Sequence, residues 1–126
     1  MKEVVAIIRM NMMNKTKRAL SEAGISSMTA KEALGRGKGL VDFKVLEGAE
    51  KGYEEAISQL GQSQRLIPKR VLSIIVPDSL VSRVVEAVIQ TNRTGKAGDG
   101  KLFVLPVSEA IRIRSSESGE LVLDEA

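Results

Sequence analysis

The chain has 126 residues, 43% of them hydrophobic, which suits one domain with its own core, and no apolar run is long enough for a membrane-spanning helix. It has neither cysteine nor histidine, which excludes thiolate metal sites, disulfides, imidazole bases and Ser-His or Cys-His nucleophile pairs and leaves metal-independent or carboxylate chemistry. Its 19 basic and 16 acidic residues are interspersed, giving a net charge of +3 without a polybasic arm, and 2% aromatic residues offer little for stacking on nucleic-acid bases.

The opening MKEVVAII lacks the long apolar region and small-residue cleavage site of a signal peptide, so the cytoplasm is the expected compartment. Val4 to Ile8 is a nearly continuous apolar, β-branched run and predicts a strand central in a sheet. The period then changes. Asn14 is a candidate N-cap, Ala19, Leu20 and Ala23 form a small apolar face, and Gly24 is a C-terminal stop for a short first helix. Ile25 to Ala33 alternates imperfectly and predicts a second strand.

From Gly35 to about Leu66 the pattern loses its order. Gly35, Gly37 and Gly39 alternate with Arg36 and Lys38, and EGAEKGYEE follows; a helix near Tyr53 to Leu60 would lack a broad apolar face. An excursion this long in so small a domain is read as a functional loop, because strand signals resume on its far side. Arg70 to Val76 is a β-branched strand ended by Pro77, and Asp78 can cap what comes next. Val81, Val84, Val85, Val88 and Ile89 recur at helical spacing and predict the clearest amphipathic helix of the chain.

The stretch TGKAGDGKLFV, Thr94 to Val104, has no evident packing role. Gly95, Gly98 and Gly100 can take positive φ and let main-chain N–H groups converge on an anion, with Lys96 and Lys101 supplying charge. Gly95 and Gly100-Lys101 satisfy the start of a Walker A loop, but Leu102 stands where that loop needs a hydroxyl, and a strand follows where it needs a helix. The stretch is therefore an anion cradle of another kind. Lys101 to Val107 is the last sheet strand, and AIRIR, Ala110 to Arg114, predicts a further short strand with Arg112 and Arg114 on one face. A charged tail, residues 115–126, closes the chain.

The two halves repeat strand, helix, strand. The expectation is an α+β domain over residues 1–126, ferredoxin-like βαββαβ, with the long loop at 38–67 between strands two and three.

TGKAGDGKLFV followed by IRIR resembles the signature of PII signal-transduction proteins. KEVVAIIR, GISSMTA, Gly35 and Gly37 also match the family's N-terminal half. The resemblance implies trimers that bind ATP or ADP in clefts between subunits, sense 2-oxoglutarate with Mg²⁺ and ATP, and dock on targets through a T-loop, here 38–67.

By that resemblance Gly98, Asp99, Gly100 and Lys101 form the phosphate-binding turn, and Arg112 and Arg114 are the phosphate-contacting arginines. Thr29 and Ile75 line the base and ribose, while Ile7, Gly35 and Gly37 contribute main-chain contacts. Lys69 matches the lysine that pairs with a 2-oxoglutarate carboxylate, with Gly37, Gly39 and Gly98 beside it. Lys38 stands where most relatives have a phosphate-contacting Arg, and Gly39 where they have the Gln that joins Mg²⁺ and 2-oxoglutarate. Lys51 and Ala49 occupy positions that some relatives modify covalently, and Tyr53 is out of register.

The stretch between Gly37 and Lys69 is longer than in ordinary PII proteins. With QRLIPKRVL it resembles the long-loop NifI-type branch, whose members bind dinitrogenase. The implied partners are dinitrogenase, further copies of the chain in a homotrimer, or a second PII-like subunit; neither nucleic acid nor membrane insertion is expected. A conventional PII regulator of an ammonium channel or glutamine synthetase is the alternative. An enzyme such as a nucleotide hydrolase is the more distant one. Asp42, Glu47, Glu50, Glu54 and Glu55 read as solvated and form no acid-base or metal constellation, so the expectation is a regulatory protein without catalytic residues. An RNA-binding module shares the element order, but the aromatic platforms it needs are missing.

Overall fold

The computed structural model describes residues 1–37 and 65–124. The interior of the long loop, with Lys38, Gly39 and the segment around Tyr53 to Leu60, lies outside the described residues. Among the described residues the elements run β1 (Lys2–Arg9), α1 (Met13–Glu22), β2 (Thr29–Gly35), β3 (Ile67–Val76), α2 (Val81–Asn92) and β4 (Lys101–Pro106). The strands form one antiparallel sheet in the order β2-β3-β1-β4. This is the expected ferredoxin-like βαββαβ architecture, and no helix of the described residues is long and apolar enough to cross a membrane.

The sheet separates residues by parity. Glu3 pairs with both Ile75 and Leu105, and Thr29 pairs with Ser73, so odd-numbered residues of all four strands share one face. The even positions Val4, Ala6, Ile8, Leu72, Ile74 and Val76 are buried against Leu20, Ile25, Val84 and Val88. Each of the Val, Leu and Ile side chains among them contributes about 1.5–3 kcal/mol through removal from water. Both helices thus lie on the even face, and a buried hydrogen bond from Asn92 Nδ2 to Thr16 Oγ1 (3.1 Å) ties α2 to α1. Among the described residues no helix packs over the centre of the odd face, and Phe103 (48% exposed) and Leu105 (42%) stand on it.

Several element boundaries differ from expectation. Asn14 does not cap α1: a 3-10 turn over Met10–Met12 begins the coil directly at the end of β1, which puts Met12 at the N-cap and Asn14 in the first turn. Asp78 does not cap α2 either. It opens a 3-10 turn, Asp78–Leu80, and its carboxylate holds the Met1 ammonium at 3.0 Å. Gly24 does end α1, with φ +86 and the Ile25 amide donating back to Leu20 O at 2.9 Å. That closure spends Ile25 on the core, so β2 starts at Thr29 rather than at Ile25. β3 begins at Ile67, ahead of the expected Arg70, because β2 extends past the end of β1 and supplies partners for Ile67 and Pro68.

The largest correction is at Ala110 to Arg114, which is not a sheet strand. Ile111 makes one isolated bridge to Ser118, and the Ser116 amide donates to Arg112 O at 2.7 Å around a tight turn in which Ser116 has φ +63. This segment pairs with the residues that follow it, the Arg112 amide donating to Glu117 O at 2.8 Å, and not with either edge strand of the sheet. Arg112 and Arg114 therefore do not share a strand face.

Candidate functional site

The glycine turn between α2 and β4 is organised by Asp99. Its Oδ2 accepts hydrogen bonds from the amides of Thr94 (2.7 Å) and Gly95 (2.9 Å), and its Oδ1 accepts from the Thr94 hydroxyl and from Arg9 Nη1 (2.9 Å). The Thr94 hydroxyl and amide, together with the Arg9 guanidinium and the Gly95 amide, hold its carboxyl far below the usual carboxylate range. Arg9 Nη2 also donates to Ala97 O at 3.1 Å, so one guanidinium spans the turn.

Backbone geometry accounts for the glycines. Gly98 has φ +97 and Gly100 φ +108, on either side of Asp99, which is not in the positive-φ region; such alternation of hand makes amides converge on one side. A Cβ at Gly100 would lie 2.1 Å from Ile7 O, so the turn is seated directly on β1. A Cβ at Gly98 would come within 3.2 Å of the Arg9 guanidinium.

The register decides which of the expected site residues come together. Ile7 pairs with Lys101 on one side and Val71 on the other, and Arg9 pairs with Lys69. Gly35 pairs with Ile67 at the start of β3, and its Cβ would stand 3.9 Å from Lys69 Cγ. Ile7, Gly35, Lys69 and Lys101 are odd positions on the open face, at the end of the sheet where the glycine turn lies and where Gly37 leaves β2.

The remaining residues are at the opposite end. Thr29 and Ile75 line a cleft of about 510 Å³ together with Ser73, Val122, Leu123 and Asp124. The hairpin carrying Arg112 and Arg114 is anchored there as well: the Gly119 amide donates to Ala110 O (2.9 Å), and the neighbouring Glu120 carboxylate is 3.8 Å from the Met1 ammonium. Arg112 Nη1 donates to Glu117 Oε1 at 2.8 Å, and Arg114 is exposed. The Ser115 hydroxyl and then Arg112 hold the Glu117 carboxyl below its ordinary value. β4 separates the two groups by 6 residues, roughly 20 Å of strand. Within one chain the expected site is thus two half-sites, one at each end of the sheet.

Sequence reasoning missed Arg9 and Thr94. Arg9 closes the KEVVAIIR stretch, but nothing in that stretch assigns it a partner, and its role depends on Asp99 far along the chain. Thr94 had a local signal, since a hydroxyl residue opening a glycine turn that contains an Asp favours side-chain bonds to nearby amides.

Comparison with known proteins bears on this arrangement. The family profile described as Nitrogen regulatory protein P-II matches residues 1–117. The chain belongs to the PII family. Among its relatives, "Nitrogen fixation nifHD region GlnB-like protein 2" of Methanobacterium ivanovii is 46% identical over 95% of this chain and 97% of its own length. The protein of the same designation from Methanococcus maripaludis is 45% identical over 98% of this chain and 100% of its own. "Nitrogen regulatory protein P-II" of Haemophilus influenzae is 38% identical over 95% of this chain and 97% of its own. This PII protein is accordingly a nitrogen regulator and not an enzyme, on the nifHD-associated, NifI-type branch of the family.

Proposed function

We propose that this PII protein reports nitrogen status by binding ATP or ADP, with Mg²⁺ and 2-oxoglutarate as further effectors, in clefts between copies of the chain, and that it controls dinitrogenase through the 38–67 loop. One observation carries the reading: the phosphate-side residues, Gly98 to Lys101, and the base-side and arginine residues, Thr29, Ile75, Arg112 and Arg114, lie at opposite ends of one sheet. Copies related head to tail bring unlike ends together, and such a contact closes into a ring when the rotation between neighbours divides a full turn. Three copies, the number typical of the family, would share the apolar odd face as their common interior.

In that cleft the alternating backbone at Gly98 to Gly100 cradles phosphate, and Lys101 adds a point charge. Arg112 and Arg114 of the adjoining copy supply guanidinium forks, Arg112 by leaving Glu117 for a more highly charged partner. Lys69 and Gly37 stand at the loop mouth, where a dicarboxylate would couple the cleft to the loop. Effectors that bind two loop arrangements unequally shift their populations and so the docking of the target. The names of the nifHD-region relatives support dinitrogenase over an ammonium channel or glutamine synthetase.

Two measurements test this. Calorimetric titration with MgATP should show binding that Lys101→Ala weakens by at least tenfold, and unchanged affinity would remove the site. Deleting residues 40–62 should leave ATP binding intact and abolish inhibition of dinitrogenase activity; inhibition by the shortened chain would reject the loop as the docking surface.

A further inference from the structure

The segment after the hairpin crosses the end of the sheet that carries Thr29 and Ile75. Gly119, at φ +93, redirects the chain into a 3-10 turn over Glu120–Val122, in which the Val122 amide donates to Gly119 O (3.2 Å) and the Leu123 amide to Glu120 O (3.0 Å). Glu120 stands 3.8 Å from the Met1 ammonium, and the Ser27 hydroxyl donates to Asp124 Oδ2 beyond the turn. Between these two anchors Val122 and Leu123 are half-buried and form a wall of the 510 Å³ cleft that holds Thr29 and Ile75. The strap is thus fastened at both ends by exposed polar contacts, which are individually weak, and it is apolar in the middle.

We propose that residues 120–124 are an autoinhibitory strap on the base-side half of the nucleotide site. The base and the strap compete for the surface made by Thr29, Ser73 and Ile75, so nucleotide binding and strap release are one equilibrium. This rests on the nucleotide reading above. A site covered for part of the time binds with an apparent affinity reduced by the uncovered fraction, and by reciprocity each bound nucleotide favours the released tail. Occupancy is thereby displayed at the Met1 end of the sheet as well as at the loop mouth.

The test uses the full chain. ATP and ADP are titrated by calorimetry into the wild type, Asp124→Ala, and the double variant Val122→Ser with Leu123→Ser, while hydrogen exchange is followed at residues 119–124 with and without ATP. Loosening the strap should tighten ATP binding by about threefold in Asp124→Ala and about tenfold in the double variant, and ATP should speed tail exchange in the wild type. Asp124 is exposed, so its removal leaves the fold intact should the double variant be unstable. Equal or weaker binding by Asp124→Ala, or slower tail exchange with ATP, would overturn the strap while leaving the nucleotide site standing, since the tail would then be an indifferent or completing wall. Absence of ATP binding in the wild type and in Asp124→Ala alike would overturn the nucleotide reading itself and the strap with it.

Discussion

The Arg9 guanidinium donates to the Asp99 carboxylate at 2.9 Å, joining the last residue of β1 to the turn that precedes β4. Asp99 is already engaged by the Thr94 and Gly95 amides, so this bond fixes a turn that is internally closed onto the sheet. The carboxylate organises the cradle from behind, and its charge is spent on protein donors.

Replacing Asp99 with Asn keeps the shape and sets an N–H₂ group against donors on one side, because Thr94, Gly95 and Arg9 all require acceptors. The turn should loosen, with ATP affinity down by roughly tenfold and the melting temperature lowered. The folded chain depresses the Asp99 pKa, so its stabilisation is complete above the unfolded value near 3.9 and fades as pH falls toward the folded value. The melting-temperature gap between wild type and Asp99→Asn should therefore be constant from about pH 8 to 5 and narrow below about pH 4. A gap that widened on acidification would contradict the geometry.

Two glycines of the same turn should respond differently to alanine. Gly100 has φ +108 and a Cβ position 2.1 Å from Ile7 O, so Gly100→Ala must push the turn off β1. Gly95 has φ +83 with nothing within 4 Å of its Cβ, so only the backbone preference is paid there. Denaturant melts should show a loss of roughly 2–4 kcal/mol for Gly100→Ala and about 1 kcal/mol for Gly95→Ala. Equal losses would mean that close approach to β1 is not what selects glycine at position 100.

The parts legible in the sequence are those set by periodicity. Val84 and Val88 recur on one face, so α2 could be read although valine is a poor helix former, and the core contacts of that face outweigh the propensity. The β-branched runs of β1 and β3 were legible for the same reason. Helix starts were not: Asn14 and Asp78 had the chemistry of caps, but 3-10 turns begin each helix earlier or later than those residues suit. IRIR has the pattern of a strand but turns back at Ser116 and bonds to the residues just after it rather than to β2 or β4, a choice of partner that its alternation does not encode. The glycine turn could be found from composition, whereas its dependence on Arg9 could not.

The open face of the sheet gives a test of assembly. Phe103, 48% exposed, stands beside Val5 and next to Leu105, on the side away from both helices. The proposed assembly would bury that face between copies and give its apolar character a role, so the wild type should sediment as a trimer. Phe103→Asp should sediment as a monomer with an unchanged circular dichroism spectrum, because the even-face core is untouched. A wild-type monomer at micromolar concentration would leave the two half-sites without a means of meeting.

The separation of those half-sites makes a sharper prediction. Lys101→Ala damages the glycine-turn end, and Arg112→Ala with Arg114→Ala damages the hairpin end, so each homogeneous assembly should bind ATP poorly. Unfolding the two variants together and refolding them at equal ratio distributes both kinds of chain through each ring. A cleft is whole when its glycine turn comes from the arginine-deficient chain and its hairpin from the lysine-deficient neighbour, which random assembly gives for about a quarter of clefts. Calorimetry should then report about a quarter of the wild-type stoichiometry at wild-type affinity, with the remaining clefts weak. Were both halves of a site drawn from one chain, mixing would restore nothing, since every chain would carry a damaged half. Recovery therefore requires that the two ends of the sheet meet across a boundary between copies.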